Sequence, residues 1–547
     1  MIIALCFCVA AQTPTPTPIP TPNASPTPDL PPPVQPSFVG APKPTPDPTR
    51  VGVDGSNPWS LTVDQAIDLA LTNNNDIDVS RNNERISEFN LQGAKGIYDP
   101  LFNSQTYYES RTTPTASTIG GAVNGSVTQR QFYNDLGLSG FTPRFGGQYD
   151  VIFNQARTTT TNRNTTLNPQ YPTNLIATYT QPLWRNLRID SNRRNIMIAA
   201  KNVAISDSQL KQEAMDQVRA VEQAYWDLVF ALRNLQVQND TLNQAKEQLE
   251  SNKRLVEKGV LAPIEVVAAN AQISTFEQAI FAAQESVTRA ENTLKTLLLP
   301  DRRAAEWTRP IMPVTDVNRD VPRIGLEVAT SEAMKNRPEI EQLETNSEIN
   351  RIDQRFYKDQ TKPQIDLVSS YTSAGLAGTP NPNSSGAATV PEILKGGYGK
   401  SISNLAAQDF PTYRVGVQVG LPLRNRTAKA NYGRSLVEGD RIANNRAQTE
   451  QLIEADVRNS LQALRSAESS LTSATAAREA AEELYNSEQR QFRAGTTTFF
   501  LVLQRQTELS AARGREIQAR TNLNKAISEF NHSIGATLTV NNVTVSK

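Results

Sequence analysis

Two stretches decide the fold: RLVEKGVLAPIEVV at residues 254–267 and RQFRAGTTTFFLVL at residues 490–503. Each places a single glycine, Gly259 or Gly495, in sequence that otherwise has the composition of continuous helix. Glycine adopts a positive φ at little cost, so it allows a helical chain to end and reverse. We therefore predict that each glycine marks the tip of a helical hairpin.

Apolar residues recur every seven positions on both sides of the first glycine. The repeat consists of Val221, Leu228, Leu235, Leu242, Leu249 and Val256 before it, and of Val266, Ile273, Ile280, Val287 and Leu294 after it. Such a repeat predicts long helices that supercoil around a partner. The first arm has no proline from residue 192 to residue 258, and about 66 helical residues span on the order of 100 Å. Shifted by 236 positions, nine of the eleven sites are again apolar.

A second internal match lies upstream of each hairpin. The segment ALTNNNDI at residues 70–77 aligns with AMKNRPEI at residues 333–340, a shift of 263. Thr62 and Gln65 form a capping-box pattern at the start of the first of these helices. The chain is therefore predicted to contain two tandem repeats of helix, strand, strand and long helical hairpin. Their boundaries are a first repeat at 59–300, a linker at 301–321, a second repeat at 322–537 and a C-terminal tail at 538–547.

Strands are predicted between the short helices and each hairpin, at about 101–183 and 363–422. In TYRVGVQVGLPL, residues 412–423, valines alternate with arginine, glycine and glutamine. This alternation is typical of a transmembrane β-strand, and also of a half-buried strand in a soluble sheet. Two long strands per repeat give four per chain, and residues 133–157 resemble an extra hairpin, which either adds strands to the barrel or lies on the extracellular side. Because four strands cannot close a membrane barrel, three chains with about twelve strands are expected.

The N-terminus and composition limit the cellular context. Residues 1–12 are apolar and end in small residues, as in a secretory signal segment, and residues 13–58 are a Pro/Thr-rich tether. Both cysteines, Cys6 and Cys8, fall in the signal segment, which leaves open a lipid anchor there. The 55 basic and 55 acidic residues give no excess charge for nucleic acid. No run of eighteen apolar residues is present to form a transmembrane helix.

Motifs for catalysis are missing from the sequence. It contains one histidine, His532, which is predicted to be a helix-end residue without chemical function. It has no phosphate-binding glycine loop, no HExxH and no paired cysteine ligands. The acidic residues are spread along amphipathic helices, where a solvated face is expected. We therefore expect no enzyme, no cofactor and no bound metal.

Several segments resemble the TolC-like outer-membrane efflux proteins. They are LTVDQAIDLALTNN at 61–74, YTQPLWRN at 179–186 with VGLPLRNR at 419–426, AYWDLVFA at 224–231, and the two glycine tips. The resemblance implies a mainly α-helical fold with a membrane β-barrel part, assembled as a trimeric α-barrel/β-barrel tube. It also implies a position in the cell outer membrane extending into the periplasm. The partners implied are a periplasmic adaptor protein, an inner-membrane transporter of an efflux or type I secretion system, and outer-membrane lipid.

The same resemblance suggests residue roles at the two tips. The adaptor-contact positions are Gly259, Val260, Leu261, Ala262, Gly495, Thr496 and Thr497. GVLA at the first tip resembles the family's contact motif, whereas GTTT at the second departs from it. The gate positions are Glu265, Leu501 and Gln504. Well-known members carry acids where Leu501 and Gln504 stand, and Glu265 is retained at the first tip, so the resemblance suggests an apolar constriction instead of an acidic ring. Leu501 packing in the helical seam beside Val502 is the alternative.

Two other classes of protein remain compatible with long heptad helices. A cytoplasmic coiled-coil scaffold needs neither a signal segment nor strands, and a secreted adhesin uses a coiled coil as a stalk. Neither explains strands inserted at matching places in two copies. The exported substrate is not indicated by the sequence.

Overall fold

The computed structural model describes residues 50–116, 118–122, 124–317, 319–384 and 389–544. The predicted signal segment, residues 1–12, and most of the predicted tether, residues 13–49, lie outside them. The helices are α1 (Val63–Asn73), α2 (Asn75–Lys95), α3 (Ser191–Glu257), α4 (Ile264–Leu298), α5 (Leu326–Asn336), α6 (Pro338–Gln360), α7 (Tyr398–Ala406), α8 (Arg426–Arg493), α9 (Phe499–Ser533) and α10 (Thr537–Val540). The strands are β1 (Trp59–Leu61), β2 (Leu101–Pro114), β3 (Ser126–Phe141), β4 (Gln148–Thr160), β5 (Leu167–Pro182), β6 (Ile311–Pro313), β7 (Gln364–Pro380) and β8 (Phe410–Gly420).

Two long helical hairpins dominate the chain. Helices α3 and α8 have 67 and 68 residues, and α4 and α9 have 35 residues each. At 1.5 Å per residue, the longer arms span about 100 Å. Heptad positions such as Val221, Leu228 and Val287 are fully buried, as the seven-residue repeat predicts.

A six-stranded antiparallel sheet has the order β2-β3-β4-β5-β7-β8. The prediction of four long strands is therefore wrong. Residues 133–157 belong to β3 and β4, which pair with each other from Phe141↔Gln148 to Gln129↔Thr160 and lie inside the sheet. Strands β5 and β8 lead into α3 and α8, so we call this end of the sheet the helical end and the opposite end the far end.

Short helices cover the long hairpins in two similar arrangements. Helix α1, opened by the predicted capping box with Thr62 Oγ1 3.1 Å from the Gln65 amide, packs on α3 and α4. Helix α5 packs on α8 and α9 through Ala329 and Ala333, which are both fully buried. In each place an eleven-residue helix seals the middle of a hairpin.

The segment that precedes α1 and the linker between the hairpins contact each other and the long helices. Arg50 Nη2 lies 2.7 Å from Glu291 Oε2, and the Asp54 amide donates to the Thr308 carbonyl at 2.7 Å. Strand β6, inside the predicted linker, pairs in parallel with β1, so that Trp59 is opposite Ile311. Residues 59–61 and the linker strand thus form a two-stranded parallel sheet beside α3.

Candidate channel wall and helical tips

The large sheet has one apolar and one polar face, because side chains alternate along every strand. The apolar face carries Leu136, Leu138, Val151, Phe153, Leu175, Ala177, Leu367, Val415, Val417 and Val419. The polar face carries Asn103, Gln105, Glu109, Asp135, Asp150, Asn154, Asn174, Asp366 and Gln418. Val417 and Gly416 therefore lie on the faces that the alternation predicts. Such a sheet suits lipid on one side and water on the other.

Tyrosines mark two levels of the apolar face. Near the helical end Tyr149 is opposite Tyr179. Tyr371 pairs with Tyr413, with ring centroids 5.2 Å apart, and lies opposite Ala177, only two residues from the level of Tyr179. Along β5, Tyr171 lies eight residues from Tyr179. This separation is about 26 Å along the strand, close to the height of about 25 Å of an apolar band between aromatic girdles.

Helix α7 covers the far end of the apolar face. The strand residues beneath it are small, and Gly375 and Thr173 lie directly under Ser401. Thr173 Oγ1 is 2.9 Å from Ser401 Oγ, and Ser373 Oγ donates to the Leu405 carbonyl at 2.7 Å. We did not predict this helix from the sequence. The feature that could have indicated it is the run of small residues in β5 and β7, at positions where larger apolar residues would be expected on an uncovered apolar face.

Two asparagines form the junction between the sheet and the long helices. Asn186 and Asn425 both have left-handed backbones, with φ of 67° and 43°. The Asn186 amide donates to Asp359 Oδ2 at 2.7 Å, and Asn425 Nδ2 donates to the Thr361 carbonyl at 3.1 Å. Asparagine tolerates this backbone better than most residues. The Arg-Asn pair that occurs in both places, at 185–186 and at 424–425, therefore turns the chain from strand to helix twice.

The two tips have the same backbone geometry. Gly259 and Gly495 have φ of 71° and 76°. The Gly259 amide donates to the Val256 carbonyl and the Val260 amide to the Leu255 carbonyl, both at 2.9 Å. At the second tip the bonds run from Gly495 to Phe492 and from Thr496 to Gln491, at 3.0 and 3.1 Å. Both pairs of bonds form a Schellman motif, which satisfies the last carbonyl groups of a helix.

The predicted adaptor-contact residues lie at these two turns, and their side chains differ in the fraction exposed to solvent. Val260 is 71% exposed and Ala262 is exposed, whereas Leu261 is half-buried. At the second tip Thr496 is exposed, and Thr497 is half-buried with its hydroxyl bonded to the Glu488 carboxylate. The first tip presents an apolar surface, which Ile264 extends.

The predicted gate residues lie in the first two turns of α4 and α9, the second helix of each hairpin. Glu265 is half-buried in the first turn of α4. Leu501 is 36% exposed, whereas the neighbouring Val502 is 1% exposed, so Val502 fills the seam and Leu501 faces away from it. Gln504 Nε2 donates to Glu508 Oε1 at 3.0 Å. The pKa of Glu508, one helical turn beyond Gln504, is lowered first by the hydrogen bond from Arg505 and then by that from Gln504.

A cleft of about 780 Å³ separates the ends of the two hairpins. Its lining includes Leu255 and Val260 from the first hairpin and Phe492 and Arg493 from the second. Above the cleft, apolar side chains of both hairpins share one cluster, in which Leu249 and Val502 are buried. The two hairpins therefore contact each other behind the tips, whereas the cleft lies between them at the tips.

Buried charges connect the hairpins at their other end, a feature that the sequence analysis missed by assuming a solvated face. Glu222 on α3 is 1% exposed; it accepts a hydrogen bond from Ser528 on α9 and another from Arg319 Nη1 at 3.1 Å. A further buried pair lies within α4 and does not join the hairpins: Lys295 is fully buried, with Nζ 2.6 Å from Glu291 Oε1. His532 Nε2 lies 2.9 Å from Asp216 Oδ1. The spacing of these acids alone does not distinguish a solvated face from a paired, buried one.

Within the described residues, no group of three or more His, Cys, Asp or Glu side chains is arranged to hold a metal ion. Among the described helices, none is both long enough and apolar enough to span a membrane.

The sequence profile of the outer membrane efflux protein family matches residues 139–298 and 329–536. The chain belongs to this family. The match covers parts of the sheet and both hairpins, and it identifies the protein as an outer-membrane efflux channel. No curated protein matches the chain in a sequence search.

Solved structures of outer-membrane channels share the fold of this efflux protein. The channel OprN is 17% identical with a TM-score of 0.61, and the alignment covers 89% of this chain and 94% of that one. CmeC of Campylobacter jejuni is 14% identical with a TM-score of 0.60, covering 87% and 86%. The open state of MtrE from Neisseria gonorrhoeae is 16% identical with a TM-score of 0.57, covering 87% and 89%. At these identities the similarity is one of fold.

Proposed function

We propose that three copies of the chain form a continuous exit duct. The six-stranded sheets close a barrel in the outer membrane, and the two hairpins of each chain, which we interpret as the tandem repeats of the sequence, close a helical tube in the periplasm. The duct receives substrates from an inner-membrane transporter of a tripartite efflux or type I secretion system. A periplasmic adaptor connects the two.

The observation that carries this proposal is the sheet with two unlike faces and two free edges. Strand β2 is exposed along its whole length, and β8 is exposed except at Gly420. A free edge cannot face lipid, because its amide and carbonyl groups would lack partners. Since β2 runs away from the helices and β8 runs towards them, β8 of one copy pairs with β2 of the next in the antiparallel sense.

The tips of the hairpins form the periplasmic mouth in this proposal. Gly259, Val260, Leu261 and Ala262 contact the adaptor at one tip, and Gly495, Thr496 and Thr497 contact it at the other. Exposed apolar side chains at the first tip, Val260 and Ile264, favour it as the stronger contact, since apolar area buried in an interface stabilises it. Glu265, Leu501 and Gln504 narrow the mouth.

Fractionation and electrophoresis test this proposal. The full-length chain, expressed in a Gram-negative host, should be recovered from the outer-membrane fraction. In detergent it should migrate without heating as a species of three 60.1-kDa chains and, after boiling, as one. A helical product in the soluble fraction would instead support a coiled-coil scaffold.

A further inference from the structure

The β3–β4 hairpin is a full part of the large sheet. Strand β3 pairs with β2 from Leu101↔Ser139 to Pro114↔Ser126, and β4 pairs with β5 from Gln148↔Thr180 onward. The hairpin is therefore neither at an edge nor beyond an end of the sheet. Its side chains follow the same two faces as the other strands.

The two faces of this hairpin fit a channel wall. On the apolar face it presents Leu136, Leu138, Val151 and Phe153, and on the polar face Asp135, Asp150 and Asn154. The charged residues of its apolar face, Arg130 and Arg157, lie near the far end. Arg157 is eight residues beyond Tyr149 on β4, and Arg130 on β3 lies opposite a β4 residue that is still further on. Between Tyr149 and Arg157 this face carries no charge, and its polar pair, Asn134 and Gln155, is joined by a hydrogen bond of 3.1 Å. An extracellular hairpin has no need for such an uncharged face.

The turn of this hairpin is fixed to the start of the helical tube. Gly146, with φ of 66°, lies against Asp190 and the Asn186 carbonyl, where an added Cβ would come within 2.8 and 2.9 Å of their oxygens. Asp190 caps α3 by accepting a hydrogen bond from the Arg193 amide at 2.8 Å. Gln181 Nε2 donates to the Phe145 carbonyl at 2.8 Å. The hairpin thus reaches the same level as the junction of sheet and helix.

The widths of the sheet and of the helical layer also agree. Six strands spaced 4.8 Å apart and tilted by about 40° occupy about 38 Å of a barrel's circumference. Four helices packed 8–10 Å apart occupy about 32–40 Å of a tube's circumference.

We propose that the outer-membrane part of this duct is an eighteen-stranded barrel, built from six strands of each of three chains, in place of the twelve strands that the sequence suggests. The inference rests on the trimeric assembly proposed above. Barrels of this size enclose an open aqueous channel. The barrel is then as wide as the helical tube, its lumen is lined by the polar face, and the tips form the narrowest part of the path. Solutes that pass the tips meet no further size limit at the membrane.

Cysteine labelling in outer membranes tests the position of the hairpin. In a chain with Cys6→Ala and Cys8→Ala, single substitutions Asp135→Cys and Leu136→Cys place thiols on opposite faces of β3. A charged, membrane-impermeant maleimide should label Asp135→Cys at least tenfold faster than Leu136→Cys. On β8, Gln418→Cys and Val417→Cys provide the matched reference pair, in which the first should label faster.

Native mass spectrometry of the same chain gives the number of copies. Three copies, with the labelling contrast present in both β3 and β8, support eighteen strands. Equal, rapid labelling of both β3 positions with the β8 contrast retained places the hairpin in water; this result overturns the eighteen-stranded barrel and leaves the proposed function intact. A mass of two copies would overturn both the eighteen-stranded barrel and the proposed trimer. Equal labelling of the two β8 positions would overturn the proposal that the sheet forms the wall of a channel in the membrane.

Discussion

Gly259 and Gly495 lie 236 positions apart in the sequence, yet they end two long helices with the same left-handed backbone, φ 71° and 76°, and the same pair of hydrogen bonds. A Cβ at either position would meet nothing within 4 Å. The requirement for glycine is therefore one of backbone conformation and not of space. This distinction allows the tips to be tested with side chains that differ in their tolerance of positive φ.

Gly259→Val should disrupt the first tip, because a β-branched residue with positive φ costs roughly 1–3 kcal/mol. Gly259→Asn is the matched control, since asparagine adopts this backbone with much less strain. We expect the valine variant to lose adaptor binding in a pull-down while it stays trimeric, and the asparagine variant to retain both.

The second tip should matter less for binding, because GTTT departs from the contact motif and Thr497 is engaged with Glu488. Gly495→Val should therefore reduce adaptor binding less than Gly259→Val does. Equal losses from the two variants would contradict this asymmetry.

Arginine on the apolar face of β8 should destabilise the barrel. Val417→Arg and Val419→Arg each place a charge on the apolar face, between the level of Tyr179 and the helical end, where the cost lies below the roughly 2–4 kcal/mol of the membrane midplane. Gly416→Arg adds the same charge to the polar face, where no atom lies within 4 Å of the added Cβ. The yield of heat-modifiable trimer should fall for the two valine variants and remain near normal for the glycine variant. An equal fall in all three would refute the assignment of the faces.

Gly375→Val should lift helix α7 from the sheet, because the new Cβ would collide with the Ser401 carbonyl and Thr173 Oγ1. The barrel strands remain paired, so trimers should persist while proteolysis of residues 381–409 accelerates. Gly416→Val, which meets no neighbouring atom, is the control and should leave the rate of proteolysis unchanged. An unaltered rate in Gly375→Val would show that α7 does not depend on this contact.

The Asp216–His532 pair should make the joint between α3 and α9 sensitive to acid. The hydrogen bond from His532 is the main cause that lowers the pKa of Asp216 below its ordinary value of 3.8, burial opposes it, and Arg219 and Arg337 lower it further. Because the folded-state pKa is depressed, the stabilisation is present above pH 3.8 and is lost as the pH falls through the lower folded value. Asp216→Asn should thus cost roughly 0.5–1 kcal/mol at neutral pH and little at pH 2.

Thermal unfolding of the purified protein between pH 7 and pH 2 measures this effect. Asp78→Asn, which removes a more exposed ion pair with Arg81, is the control and should alter the melting temperature less. A constant difference between Asp216→Asn and the parent at every pH would contradict the assignment.

Trivalent cations should not block the channel from the periplasmic side if Leu501 narrows the mouth. The double substitution Leu501→Asp with Gln504→Asp should create the block, because rings of carboxylates bind cations. Leu501→Asn with Gln504→Asn has similar shape without charge and should remain insensitive. Conductance in a planar bilayer reports all three. Strong block of the parent channel would show that other acids, Glu265 first, line the constriction.

The hairpins were predictable because their information is local. The heptads at Val221 and Leu228, and the single glycines that end α3 and α8, follow from helical periodicity and backbone preference alone. The same holds for the alternation in β8, where Val415, Val417 and Val419 form one face.

The strand number was not predictable, because the alternation in β2 and β3 is weakened by side chains such as Thr106 and Asn134 on the apolar face. Their assignment depends on pairing across the sheet. The contact of Glu222 with Arg319 was likewise hidden, since it depends on which element packs over α3, whereas that of Thr497 with Glu488 depends on how the tip folds back on α8. Sequence spacing identifies the faces of a helix but not the partner that covers each face.

Imaging of the full-length protein in lipid nanodiscs tests the central claim most directly. We expect a threefold ring whose sheet lies within the disc and whose helices project from one side by about 100 Å, with the turns at Gly259 and Gly495 at the distant end. Particles without a sheet in the disc, or with the helical tips inside it, would contradict the account.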